Sequence, residues 1–175
     1  MGRIALVGFM GSGKSTVGAQ LAEKLDYTFV DLDTFIENRT QMSIPHIFAT
    51  GGEAHFRQCE QEALNALGNQ SRGVVLATGG GVVTQAPSRA LLKEAWQAVY
   101  LRATPETILA RVLQDATERP LLQDEHPDVR IRTLMAQRQN WYEEVADVTI
   151  EVDEFSVEMI VQYIVDWLDA RFAER

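Results

Sequence analysis

Cysteine is almost missing from this chain: Cys59 stands alone in 175 residues. That excludes an internal disulfide and a cysteine-built zinc site, fits a reducing compartment, and leaves Cys59 as a small packing residue. Lysine is nearly as scarce, since only Lys14, Lys24 and Lys93 are lysines among 16 basic residues. Positive charge therefore rests on arginine, whose planar fork grips carboxylate and phosphate through two parallel hydrogen bonds. No run of about 18 apolar residues occurs, which removes a membrane-spanning helix. A strand opening almost at the amino terminus also leaves no signal peptide to expect, so the chain is expected to be soluble and cytoplasmic. The formal charge of −9 repels a duplex backbone, and no aromatic-basic patch offsets it, so nucleic acid is not an expected partner. Internal repeats, linkers and low-complexity tracts are lacking as well. With no exposed apolar heptad to demand pairing, a monomer is expected.

What is present begins with an apolar fraction of 46%, enough for one continuous core and a single domain over residues 1–175. The strongest local signal is Gly8-Phe9-Met10-Gly11-Ser12-Gly13-Lys14-Ser15, which fits G-x-x-x-x-G-K-[ST] in full. Ile4 to Val7 before it reads as a buried strand, and Val17, Leu21, Ala22 and Leu25 after it recur at helical spacing. Between a strand and a helix amino end, such glycines let successive N–H groups point inward at a phosphate. Gly11, Ser12, Gly13, Lys14, Ser15 and Thr16 are thus the expected nucleotide-phosphate contacts. Lys14 reaches the β- and γ-phosphates, and the Ser15 hydroxyl ligates Mg2+.

Tyr27 to Asp33 reads as a second strand, whose alternation would put Asp31 and Asp33 on one side at the carboxyl edge of a sheet. Mg2+ prefers oxygen donors, so this pair is a candidate functional pair beside the phosphate loop, although Asp33 could also cap the following helix. Thr34 to Arg39 predicts a short helix, and Ser43-Ile44-Pro45-His46 opens another. Gly51-Gly52 breaks the chain, and Glu53 to Leu67 resumes as a helix. On it Arg57 and Glu60, three apart, read by themselves as an ordinary exposed ion pair. A buried strand, Gly73 to Thr78, runs into Gly79-Gly80-Gly81, which suits either a ligand approaching the backbone closely or a flexible turn.

Pro87 marks a break before a helix from Ser88 to Trp96. Ala98 to Leu101 is the fourth strand, and Thr104-Pro105 caps and opens the next helix. Residues 114–126 are the least periodic interior stretch and a candidate lid carrying Arg119. Pro127 to Val145 predicts a long helix with Ile131, Leu134, Met135, Trp141 and Tyr142 mostly facing the core, where Arg138 would need an anionic partner. A fifth strand, Val148 to Val152, and a helix from Ser156 to Phe172 close the chain. Five strands alternating with helices imply an α/β fold with a parallel sheet covered on both faces, a three-layer P-loop kinase architecture.

Taken together, Gly8 to Ser15, Asp31-Leu32-Asp33, Phe56-Arg57 to Glu60, Thr78-Gly79-Gly80-Gly81, Arg119-Pro120-Leu121-Leu122 and Arg138 four before Tyr142 resemble the shikimate kinases. The resemblance implies a nucleoside-monophosphate-kinase-like fold with strand order 2-3-1-4-5, substrate-binding helices over 33–67 and a lid over 114–126. It implies transfer of the ATP γ-phosphoryl group to the 3-hydroxyl of shikimate, on the way to aromatic amino acids. By the same likeness Arg57 and Arg138 clamp the shikimate carboxylate, with Glu60 orienting Arg57, while Gly79, Gly80 and Gly81 meet the ring substituents. Asp33 would then hold or deprotonate the reacting hydroxyl, Asp31 would hold Mg2+, Lys14 and Arg119 would meet the transferring phosphoryl group, and Arg111 would stack on adenine. A gluconate kinase of the same architecture, or an ATP-binding regulatory module without catalysis, are the alternatives.

Overall fold

Alternation along the first strand decides the architecture. In β1 (Arg3–Val7) Ile4 and Leu6 enter one apolar cluster while Ala5 and Val7 enter another, so the strand is covered on both faces, as in the middle of a parallel sheet. The computed structural model describes residues 2–115 and 125–173. Among them β1, β2 (Thr28–Asp31), β3 (Val74–Ala77), β4 (Gln97–Arg102) and β5 (Val148–Glu151) form one parallel sheet in the order β2-β3-β1-β4-β5. Ala5 lies opposite Leu76 on one side and Ala98 on the other.

Seven helices flank the sheet within the described residues: α1 (Lys14–Leu25), α2 (Leu32–Thr40), α3 (Ile44–Gly68), α4 (Ala86–Ala95), α5 (Pro105–Gln114), α6 (Pro127–Val145) and α7 (Val157–Ala173). Val17 and Leu21 of α1, Ile108 and Val112 of α5 and Ile160 and Ile164 of α7 share the cluster of Ile4 and Leu6. Ile36, Leu64, Leu92 and Tyr142, from α2, α3, α4 and α6, share that of Ala5 and Val7. The three expected layers are thus present. Helix starts follow the capping signals: Ser43 accepts from the His46 N–H and Thr104 from the Thr107 N–H, each with proline in the first turn. No described helix is long and apolar enough to cross a membrane.

Two expectations are corrected, on β2 and on Pro87. β2 ends at Asp31, because the Asp31 carboxylate caps α2 by accepting from the Thr34 N–H at 3.1 Å. Asp33 therefore sits in the first turn of α2 and does not share a strand face with Asp31. Gly51-Gly52 does break the helix, as expected: Gly52, with φ 72° and ψ −172°, leaves helical geometry, so α3 is two helices meeting at a kink there. Pro87 lies inside the first turn of α4 and does not precede it. In α6 Ile131, Tyr142 and Val145 are buried, and Leu134, Met135 and Trp141 pack partly buried against the two clusters, so these positions face the core as expected.

Candidate active site

The loop after β1 is shaped by what its glycines avoid. A Cβ on Gly8, at φ 153°, would lie 2.6 Å from the Leu101 carbonyl oxygen and 2.8 Å from Ser12 Oγ, so the loop turns away from β4 only with glycine there. Gly13 then leads into α1, whose amino end points its N–H groups at the loop cavity. Lys14 is buried and its Nζ donates to the Gly8 and Phe9 carbonyls at 2.7 and 2.9 Å, folded back along the loop. Ser12 is buried with its hydroxyl unpartnered, and Ser15 and Thr16 are exposed on the first turn of α1. Arg111, on α5, donates to the Gly11 carbonyl at 2.9 Å, so its guanidinium already covers the loop.

Ser15 Oγ donates to Asp31 Oδ2 at 3.3 Å. A hydroxyl and a carboxylate side by side at the mouth of a phosphate loop are the donor set that a hard cation takes, and Mg2+ needs few protein oxygens because phosphates and water complete its shell. The residues fit the ion. No cluster of three or more His, Cys, Asp or Glu able to hold a metal occurs among the described residues.

Across from this loop, four side chains from three helices converge on Gly79, Gly80 and Gly81 at the end of β3. A Cβ on Gly79 would stand 3.5 Å from both Asp33 Oδ1 and Glu60 Oε2; one on Gly80 would stand 3.2 Å from the Met10 N and 3.7 Å from an Arg138 guanidinium nitrogen. A Cβ on Gly81 would overlap the Arg57 guanidinium, 2.9 Å from its Cζ, so only a bare backbone lets Arg57 lie there. The Arg57–Glu60 pair is a further correction. It is buried, with Arg57 9% and Glu60 0% exposed and Nη1 to Oε1 at 2.9 Å. Glu53 approaches the other nitrogen at 3.4 Å, and the guanidinium lies 5.2 Å from the centre of the Phe56 ring.

Burial pushes the Glu60 carboxyl up to about 7, against the pull of the adjoining Arg57. Burial also raises Asp33 above the ordinary carboxylate range, reinforced by Asp31 and Glu37 and opposed by Lys14 and Arg57. Asp33 Oδ1, Glu60 Oε2 and Arg57 Nε are buried without a hydrogen-bond partner. Orphaned donors and acceptors around one glycine loop are what a site prepared for a polar molecule contains. The cluster can hold an anion on its arginines, and a hydroxyl on Asp33.

Arg138 does not bury itself against an anion. It is half-buried, its guanidinium 5.7 Å from the centre of the Phe9 ring, and it lends positive charge to the surroundings of Glu60. Arg119 and most of the candidate lid lie outside the described residues; of that stretch, Gln114 closes α5. Two contributors escaped the sequence reading. The Tyr142 hydroxyl donates to the Gly80 carbonyl, and Phe9 floors Arg138. Tyr142 stands four residues after Arg138, one helical turn along the same side of α6, which was the available signal; Phe9 sits at an unspecified position of the loop motif and gave none.

A family model described as shikimate kinase matches residues 10–169. A shikimate kinase of Alkaliphilus oremlandii is 44% identical over 163 residues, 93% of this chain and 96% of its own length. A solved shikimate kinase from Acinetobacter baumannii, in complex with shikimate, superposes with a TM-score of 0.89 at 43% identity, covering 98% of this chain and 94% of its own. A gluconokinase from Sinorhizobium meliloti reaches a TM-score of 0.60 at 20% identity, covering 99% of this chain and 94% of its own, a likeness of fold alone.

Proposed function

The chain belongs to the shikimate kinase family, ATP-dependent phosphotransferases with an alcohol acceptor, and from that premise we propose that it transfers the ATP γ-phosphoryl group to the 3-hydroxyl of shikimate, giving shikimate 3-phosphate and ADP. The observation that carries this reading is the convergence of Asp33, Arg57, Glu60 and Arg138 on Gly79–Gly81, opposite the phosphate loop. A planar carboxylate calls for forked donors, and Arg57 and Arg138 supply them. Glu60 holds Arg57 in the orientation that leaves its remaining N–H groups free for the substrate.

In the reaction, Asp33 accepts a hydrogen bond from the attacking hydroxyl and takes its proton; burial keeps its carboxyl poised nearer neutrality than an exposed aspartate. Lys14 leaves the Gly8 and Phe9 carbonyls for the β- and γ-phosphates, which Gly11, Ser12, Gly13, Ser15 and Thr16 cradle. Arg111 covers the nucleotide, and Arg119 meets the charge that develops on the transferring group. Ser15 and Asp31 hold Mg2+, which when bound neutralises phosphate charge. Transfer is direct and in line, without a phosphoenzyme, with the donor and acceptor loops side by side, close enough that a Cβ on Gly80 would stand 3.2 Å from the Met10 N. Residues 33–67 serve as the substrate-binding helices and 114–126 as the lid.

A coupled ADP-release assay comparing shikimate with gluconate tests the proposal. Turnover with shikimate and none above background with gluconate is expected. Turnover with gluconate alone would reassign the acceptor, and none with either would leave an ATP-binding module.

A further inference from the structure

Against α6, and beside the substrate cluster, lies a cavity of about 420 Å3, within the usual range for small-molecule sites. Its walls are apolar and aromatic: Phe9, Tyr100, Met135, Ala136 and Tyr142. Tyr100 and Tyr142 are stacked, 5.1 Å between ring centres. Two arginines stand at the mouth. Arg102 is held by Glu143 at 3.0 Å and by Glu151, and Arg132 by Glu106 at 2.7 Å. All three glutamates are solvent-exposed, and exposed pairs are weak enough for another carboxylate to replace one at little loss.

Both aromatic walls lead to the substrate side. The Tyr142 ring lines the cavity while its hydroxyl holds the Gly80 carbonyl. Phe9 lines it too, with Arg138 over its ring and Lys14 on its carbonyl. Phe9, Tyr100 and Tyr142 are almost fully buried, so a molecule in the cavity meets their edges, and any shift it forces on Phe9 or Tyr142 passes to the glycine loop, Arg138 or the lysine.

We propose that this cavity is a second ligand site, taking a small planar aromatic carboxylate with its ring against Phe9, Tyr100 and Tyr142 and its carboxylate on Arg102 or Arg132, and that its occupancy is transmitted to shikimate binding through Tyr142. The transmission rests on reading Gly79–Gly81 as part of the shikimate site; the binding does not.

The probe is 2-naphthoate, titrated by calorimetry into the full chain with shikimate and a non-hydrolysable ATP analogue both saturating, so that the Arg57–Arg138 clamp is occupied. One molecule should bind with a dissociation constant of about 1 mM or tighter, and uncharged 2-naphthalenemethanol about tenfold more weakly. Ala136→Phe, which fills the cavity from an exposed helix position, should abolish binding and leave basal turnover intact. Should that variant fold poorly, methyl-labelled methionine reports directly, because Met135 lines the cavity and exposed Met159 does not. The Met135 signal should move on titration while Met159 stays. In the wild type, saturating 2-naphthoate should change the KM for shikimate about fivefold, and Tyr142→Phe should still bind but lose that response. Binding seen only when shikimate is left out, a Met135 signal that does not move, or a KM unchanged at saturation would each overturn the proposal. Absent turnover with shikimate would instead strike the functional reading, leaving the calorimetry to decide the site.

Discussion

Arg57 is gripped on three sides before any substrate arrives, by Glu60, by Glu53 and by the face of Phe56. Its position is therefore fixed, and the energy of orienting it is met by folding rather than by binding. Arg57→Ala should mainly raise the KM for shikimate; Arg57→Lys, which keeps the charge but not the fork, should raise it about tenfold with kcat nearly kept. Steady-state kinetics at saturating ATP check this, and an unchanged KM in Arg57→Ala would sink the clamp. Glu60 gives the second prediction at this scale. Folded, it holds its proton up to about pH 7, whereas an ordinary glutamate releases it near 4.5. Between those values the native state binds more protons than the unfolded one, so the stability from Glu60 is full below 4.5 and is lost as pH rises towards 7. Glu60→Gln should flatten this slope. The stability of the wild type relative to the variant should fall as pH rises across that window, measured by urea unfolding at several pH values. An equal slope in both proteins would place the titration elsewhere.

The junction of β2 and α2 shows how one residue can end an element and serve the site. Asp31 caps α2 through one carboxylate oxygen and accepts from Ser15 through the other. Asn caps as well as Asp but brings no charge to a cation. Asp31→Asn should therefore keep thermal stability within about 0.5 kcal/mol while raising the Mg2+ concentration for half-maximal activity about tenfold. Asp31→Ala should lose the metal effect and about 1 kcal/mol of cap together. Activity titrated with Mg2+, set beside melting curves, separates the two roles; an Asn variant with normal Mg2+ dependence would remove Asp31 from the metal. The same junction disguises the end of β2 in the sequence. Leu32 is fully buried, so apolar alternation continues through Asp33 and suggests a longer strand, while the contrary signal was the Asp31-x-x-Thr34 cap. Elsewhere the element limits were legible because proline and a capping hydroxyl coincide, as at Thr104-Pro105 and Ser43-Pro45.

At the scale of the molecule, the donor half was legible because its parts are contiguous: strand, glycine loop, Lys14, Ser15 and helix follow one another in the chain. The acceptor half was legible only through resemblance. Arg57 and Glu60 look like a surface pair until Gly81, from the loop after β3, is seen lying against the guanidinium, and helical spacing carries no trace of that approach. The support of Arg138 by Phe9 and of Gly80 by Tyr142 likewise depends on where α6 crosses the sheet ends, which follows from tertiary packing and not from local pattern. Because the two halves come from different parts of the chain, they should be separable by linkage. Ligand at about a hundred times its dissociation constant adds about 2.7 kcal/mol to the native state, which for a chain of this size raises Tm by about 5–10 °C. ATP with Mg2+ should give that shift in the wild type and in Arg57→Ala, a smaller one when EDTA removes the metal, and little in Lys14→Ala. Shikimate alone should give a shift in the wild type and in Lys14→Ala but not in Arg57→Ala. Scanning calorimetry on the three proteins reads all of these. Loss of the nucleotide shift in Arg57→Ala would show that the clamp also builds the phosphate loop, and the division into a donor half and an acceptor half would not stand.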